Sequence, residues 1–133
     1  MKNVEEIRDG NQIIAIIING EYCKDGVEFF TPAEFSQQLG YMKHGKSYKI
    51  QEHIHTLQVR EVKYTQETLF IKRGKVRVDF YSSNNILLTS RELKTGDVIL
   101  LASGGHGFEF LEETEMIEVK QGPYSGDENK VRF

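Results

Sequence analysis

Alternating residues on both sides of Gly74 constrain the fold of this chain more than any other feature. In a β-strand, residues two apart lie on the same face of the sheet. Val76, Val78 and Phe80 therefore form an apolar face, and charged residues occupy the positions between them. A glycine between two strand patterns is typical of a turn. The stretch from 67 to 80 therefore predicts two adjacent strands joined at Gly74.

Short apolar runs separated by turn residues occupy most of the remaining chain. The run Gln12 to Ile18 is apolar at successive positions, which predicts a strand covered on both faces, with Ile13, Ala15 and Ile17 on one of them. After Thr31 we expect no more than one helical turn. Further strands are predicted at 27–30, 37–43, 47–55, 86–93, 98–101, 108–111 and 116–120. Many short strands with glycine and asparagine turns predict an all-β fold, an antiparallel sandwich or barrel.

Length and composition are typical of one globular domain. The 133 residues suffice for one hydrophobic core, and 38% of them are hydrophobic. The formal net charge of -3 argues against nucleic acid or an anionic membrane as the main partner. The single cysteine, Cys23, fits a reducing compartment. Because no signal-peptide core is present and the run from 13 to 18 is too short to span a bilayer, we expect a cytoplasmic protein.

Two histidines and a glutamate lie in strand patterns that suggest a metal site. His53 and His55 are two residues apart, so both imidazoles point to one side of a strand. Glu67 shares a face with Leu69 and Ile71, and a carboxylate on a buried face is costly unless it is paired or binds a cation. Imidazole and carboxylate together suit a divalent transition metal.

Glu67 also lies within the first of two spaced motifs, which begins with a His-x-His pair. The second half of this motif is a glutamate and a glycine with six residues between them, and Glu67 and Gly74 have this spacing. The nearest His-x-His pair, His53 and His55, precedes Glu67, and residues 56–66 lie between them.

The second motif lies about thirty residues farther along the chain. Gly96 is followed, after five residues, by Ala102-Ser-Gly-Gly and then by His106. Together the two motifs resemble those of the cupins, small jelly-roll β-barrels that usually hold a metal in the barrel mouth. The chain departs from the family pattern in three ways: the gap before Glu67 is longer by roughly seven residues, alanine replaces a proline, and one residue is missing before His106.

The resemblance implies both a fold and a ligand set. The fold would be a single-domain, all-β cupin-type jelly-roll barrel, or double-stranded β-helix, of the RmlC-like kind. Its body would be residues 37–120, with N-terminal edge strands in 1–30 and a C-terminal tail in 121–133. The metal would be Fe, Mn, Ni or Zn. Its four ligands would be His53, His55, Glu67 and His106.

The longer gap before Glu67 leaves two interpretations of the site. In the first, residues 56–66 form an enlarged loop, which costs little free energy, and the four ligands converge on one ion. In the second, the family spacing is strict, and the pocket holds no metal. The histidine positions then fall on Arg60 or Glu61 and on Val62 or Lys63.

Three classes of function fit such a pocket. The first is a metal-binding cupin that acts on a small organic molecule, as an oxygenase or an isomerase. The second is a binding module without turnover. The third is a metal-free isomerase or epimerase of sugar nucleotides, in which His53 or His55 with Glu67 transfers protons. The strand from 12 to 18 needs a cover on its second face, which cupin-like proteins often take from another subunit, so we also expect a homodimer.

Overall fold

The chain folds into short β-strands in the computed structural model, which describes residues 4–133 apart from the side chains of Asp127 and Glu128. The first three residues of the predicted N-terminal edge segment thus lie outside the described part. The strands are β1 Val4–Asp9, β2 Gln12–Ile18, β3 Gly26–Phe29, β4 Gly40–Lys43, β5 Glu67–Arg73, β6 Lys75–Tyr81, β7 Leu87–Lys94, β8 Val98–Leu101, β9 Gly105–Phe110 and β10 Glu115–Lys120. One 3-10 helix, Gly126–Asn129, follows β10. The all-β prediction is confirmed.

The ten strands form three antiparallel sheets. The largest has the strand order β1-β2-β8-β5-β10, the second has the order β7-β6-β9, and β3 pairs with β4 alone. Each sheet is open, because its two outer strands have one neighbour each. The arrangement is that of an antiparallel β-sandwich, and the jelly-roll connectivity implied by the cupin resemblance stays a prediction.

The main core lies between the five-stranded and the three-stranded sheet. Val76, Val78 and Phe80 of β6 are buried, as the alternation predicts. The charged residues between them are half-buried on the opposite face, where Arg77 pairs with Asp79. The buried residues of this core are Ile7, Ile14, Ala15, Ile17, Leu69, Ile71, Val76, Val78, Phe80, Leu93, Ile99 and Leu101.

Alternation along β2 is interrupted at Ile14. Ile7 of β1 pairs with Ala15 and Arg8 pairs with Ile13, so that Ile14 is the extra residue of a β-bulge. Ile14, Ala15 and Ile17 therefore face the main core, whereas Ile13 lies on the other side of the sheet. The prediction that Ile13 shares a face with Ala15 and Ile17 is wrong, because a bulge shifts the parity of the strand.

A second, smaller core covers the other face of β2. Ile13 and Ile16 are buried there, and Phe30, Phe35 and Leu39 pack over them. The prediction of a strand covered on both faces is confirmed, but the cover comes from the chain itself. The apolar strand thus gives no reason of its own to expect a second subunit, and the homodimer stays a prediction.

Residues 44–65, which we call the arm, form a long exposed connection between β4 and β5. The arm contains no strand, so the prediction of one at 47–55 is wrong. Every residue of the arm is exposed, and Leu57 and Val59 are 94% and 99% exposed. A strand must pair its backbone with another strand, and the described structure gives the arm no such partner.

Candidate functional site

A cavity of about 910 Å³ opens at one end of the sandwich, where β5 and β9 begin. Its wall includes the start of β5, the end of β6, the loop between β8 and β9, and residues 129–133 of the C-terminal segment. Most of the sandwich interior is apolar, but Glu67 and His106 both line this cavity. A cavity of this size with a few convergent polar groups is the usual form of a small-molecule site.

Glu67 reaches the cavity because it begins β5 on the face that turns inward. Leu69 and Ile71, two and four residues on, are buried in the main core, and the Glu67 side chain is only 13% exposed. The predicted inward carboxylate is thus confirmed. Its partner is Lys120 of β10, which lies opposite Glu67 in the sheet and places Nζ 3.7 Å from Oε1. The sequence did not indicate this partner, because the pairing of β5 with β10 joins distant parts of the chain.

His106 reaches the same cavity from β9. It pairs with Phe80 of β6, so its ring points to the inner face, and its side chain is 31% exposed. The His106 Nε2 atom lies 4.0 Å from Oε2 of Glu67. The imidazole also contacts the Phe108 ring edge-on, with 5.7 Å between ring centroids. The sandwich therefore brings together an imidazole, a carboxylate and an ammonium group.

Burial lowers the pKa of His106, because an imidazolium loses hydration inside the cavity. The negative charges of Glu67 and Glu118 oppose this shift, and the positive charges of Lys120 and Lys130 add to it. Burial therefore favours the neutral imidazole, which can act as a base beside the Glu67 carboxylate.

His53 and His55, the other two predicted ligands, lie in the arm. Their ring centroids are 5.3 Å apart, and Nδ1 of His53 lies 2.8 Å from the carbonyl oxygen of Gln51. Across the described residues, no group of three or more His, Cys, Asp or Glu side chains could hold a metal ion. The structure thus brings together two of the four predicted ligands, Glu67 and His106, and the four-ligand metal site stays a prediction.

Strict cupin spacing would place residues 60–63 at the histidine positions. Lys63 does line the cavity, and Tyr64 and Thr65 line it beside Lys63. All three belong to the last part of the arm, where the chain returns to β5. Gln66, the residue before β5, is buried and accepts a hydrogen bond from the Gln37 backbone N–H over 3.1 Å. The end of the arm is therefore anchored at the cavity.

The C-terminal segment forms a wall of the cavity that sequence reasoning missed. Phe133 packs edge-on against Tyr81, with 5.1 Å between ring centroids, and Asn129 donates a hydrogen bond to Thr65 over 3.1 Å. A Cβ atom at Gly105 would lie 2.8 Å from the Phe133 ring. The glycine thus permits this close approach, and only its position at the start of β9 could have suggested such a role.

A second cavity, of about 650 Å³, lies beside β1. Its acidic side chains are already paired within the chain: Glu5 with Arg91 at 2.8 Å, and Glu6 with Arg8 and Glu28 with Lys24, each at 2.9 Å. The cavity at the mouth of the sandwich is the better candidate, because it holds the His106 imidazole next to a carboxylate.

Comparisons with known proteins assign the chain to no family. No family model matches it, and neither the curated proteins nor the solved structures include a match. The described residues contain no helix with the length and apolar character needed to cross a membrane.

Proposed function

We propose that this chain is a cupin-like protein that binds a small organic molecule in the mouth of the sandwich and transfers protons on it. One observation carries the proposal: the His106 imidazole, whose pKa is lowered by burial, lies 4.0 Å from the Glu67 carboxylate in the wall of one cavity. Groups with shifted pKa values inside a cleft are typical of catalytic acids and bases.

The reaction that fits this pair is an isomerisation through proton transfer. Neutral His106 accepts a proton at Nε2 from a carbon next to a carbonyl group, and the C–H electron pair moves into an enolate. Glu67, 4.0 Å away, stabilises the imidazolium that forms, and the Lys120 ammonium beside it favours the developing oxyanion. If the carbon that loses the proton carries a hydroxyl group, the hydroxyl proton moves to the former carbonyl oxygen, and return of the His106 proton to the former carbonyl carbon completes the isomerisation. Because no electrons enter or leave, the reaction requires no oxidant.

The size and charge of the cavity favour a phosphorylated substrate. A volume of about 910 Å³ is at the upper end of the range of ligand cavities, which suits a sugar nucleotide. Lys63, which pairs with Glu61 over 3.6 Å, also lines the cavity, as do Lys130 and Arg132, and the positive charge of this wall attracts an anionic group.

The test is the exchange of substrate hydrogen with D₂O. Sugar nucleotides that raise the thermal stability of the protein would be incubated with it in D₂O, and deuterium incorporation next to the carbonyl would be followed by NMR. We expect His106→Gln to abolish the exchange and keep the thermal shift. His44→Gln, which changes a histidine stacked on Tyr48 in the arm, is the matched control and should exchange as the wild type. Wild-type exchange by His106→Gln would refute the proposal.

A second candidate function uses a divalent metal in the same cavity. What favours it is that Glu67 and His106 are two ligands of the type that Fe, Mn, Ni and Zn bind, and that the arm carries two more in His53 and His55. These four residues would hold the ion, which would supply a Lewis acid for a substrate oxygen. Elemental analysis of untagged protein tests this candidate. About one equivalent of metal per chain, lost in His106→Ala, supports it. Metal-free protein that still catalyses exchange refutes it.

A further inference from the structure

Residues 129–133, which we call the strap, join the two sheets at the end of the sandwich where the cavity opens. At one end, Asn129 donates a hydrogen bond over 3.1 Å to Thr65, near the start of β5 in the five-stranded sheet. At the other end, the Phe133 ring packs edge-on against Tyr81 of β6 in the three-stranded sheet. Packed sheets lie about 10 Å apart, and four extended residues span at most about 14 Å, so the strap is just long enough to cross the cavity.

The strap lies at the surface of the molecule. All five of its residues are exposed, and Val131 and Phe133 are 88% and 64% exposed. None of these residues belongs to a strand. A segment with little burial and no strand pairing opens at low free-energy cost, without unfolding of the sheets. The strap can therefore open and close while the sandwich stays folded.

The seat of Phe133 is a glycine next to His106. A Cβ atom at Gly105 would lie 2.8 Å from Cζ of the ring, so an alanine there would displace the ring. The φ angle of Gly105 is not in the left-handed region, so close approach and not backbone conformation requires glycine at this position. On the other side of His106, a Cβ atom at Gly107 would meet no atom of the described chain. Closure of the strap thus depends on Gly105, the residue before the proposed base.

The strap also carries positive charge to the cavity. Lys130 and Arg132 both line it, and the charge of Lys130 acts on the His106 ring, where it lowers the pKa. Lys130 is thus within electrostatic range of the proposed base. An anionic group bound beside these two cations would stabilise the closed strap, because charges in a partly enclosed site are less screened than charges in open solvent.

We propose that the strap is a gate that closes over the anionic group of the substrate, with Lys130 and Arg132 as the residues that recognise this group. The open strap admits the ligand, and in the closed position Phe133 rests on Gly105, as the structure shows. Phosphorylated ligands then bind more tightly than neutral ligands of the same size, because only they hold the gate closed. The inference rests on the proposed function, since it concerns the binding of a phosphorylated substrate in that cavity.

The first test is the binding of inorganic pyrophosphate, measured by isothermal titration calorimetry. Lys130→Met/Arg132→Met should raise the Kd about tenfold, because two charge pairs with the anion are lost. Lys130→Arg/Arg132→Lys keeps both charges and should bind as the wild type. The matched control, Lys46→Met/Lys49→Met, removes two charges from the arm and should also bind as the wild type. A wild type that binds no pyrophosphate, or equal binding by the first variant, would overturn the proposal.

The second test separates closure from charge. Gly105→Ala keeps every charge but should raise the pyrophosphate Kd through faster dissociation, whereas Gly107→Ala should not. In a Phe133→Ala background the ring is absent, so the addition of Gly105→Ala should change the Kd no further. An equal effect of Gly105→Ala in both backgrounds means that it acts through Tyr81 or His106, which refutes the gate. If Gly105→Ala does not fold, Phe133→Ala decides alone, and an unchanged Kd refutes the gate.

Hydrogen exchange of the substrate in D₂O, followed in the same variants, separates this proposal from the proposed function. If the variants bind pyrophosphate as expected and the wild type catalyses no exchange, the gate holds and the proposed function fails. If the wild type catalyses exchange and Lys130→Met/Arg132→Met has the same KM, the gate fails and the function holds. A raised KM with an unchanged rate at saturation supports both.

Discussion

Truncation of Val78 tests whether the five-stranded and three-stranded sheets enclose one core. Val78 is fully buried in β6, with Arg91 of β7 on one side and Phe108 of β9 on the other. Val78→Ala deletes two methyl groups, which lose about 1.6 kcal/mol of transfer free energy at about 0.8 kcal/mol each. A cavity that relaxes only in part adds to this cost, so we expect a total of about 2–3 kcal/mol.

The matched control is Val119→Ala on the outer face of β10. Val119 is 60% exposed, so its truncation should change the free energy of unfolding by less than about 0.5 kcal/mol. Urea unfolding at a fixed protein concentration would be followed by far-UV circular dichroism, because the chain has no tryptophan. Equal costs for Val78→Ala and Val119→Ala would refute the placement of β6 in the core.

Three further predictions concern the site and the loop before β9. Because burial lowers the pKa of His106, the unfolded chain binds a proton before the folded chain does as pH falls below about 6.5. The free energy of unfolding, measured by urea titration, should therefore decrease as pH falls in this range, and it should decrease less steeply in His106→Gln. Lys120→Met should raise the pKa of His106 in an NMR titration, because an ammonium disfavours the imidazolium; an unchanged pKa would contradict the electrostatics of the cavity. Gly104→Ala should lower the melting temperature, because φ at this position is +68° and a Cβ atom would collide with the Tyr81 carbonyl oxygen. A Cβ atom at Gly107 would meet no other atom, so Gly107→Ala should leave the melting temperature unchanged.

Local pattern was sufficient to predict the strands that the sandwich buries. The predicted ranges 12–18 and 98–101 coincide with β2 and β8, and the alternation of Val76, Val78 and Phe80 gave the inner face of β6. In each case the signal is the burial of particular side chains, which depends on residue type and period. The inward direction of Glu67 followed from the same parity.

Features that depend on strand pairing could not be predicted from the sequence. The bulge at Ile14 arises from the register with β1, and the proximity of Lys120 to Glu67 arises from the register of β10 with β5. The cover of β2 by Phe30, Phe35 and Leu39 likewise depends on how the chain folds back over the sheet. No local pattern records which strands become neighbours.

The predicted strand at 47–55 shows the same limit in the arm. Its residue pattern is that of a strand, but a strand needs a neighbour for its backbone groups, and in the described chain the arm has none. A local pattern records residue type and period, and it cannot record whether the fold supplies that neighbour.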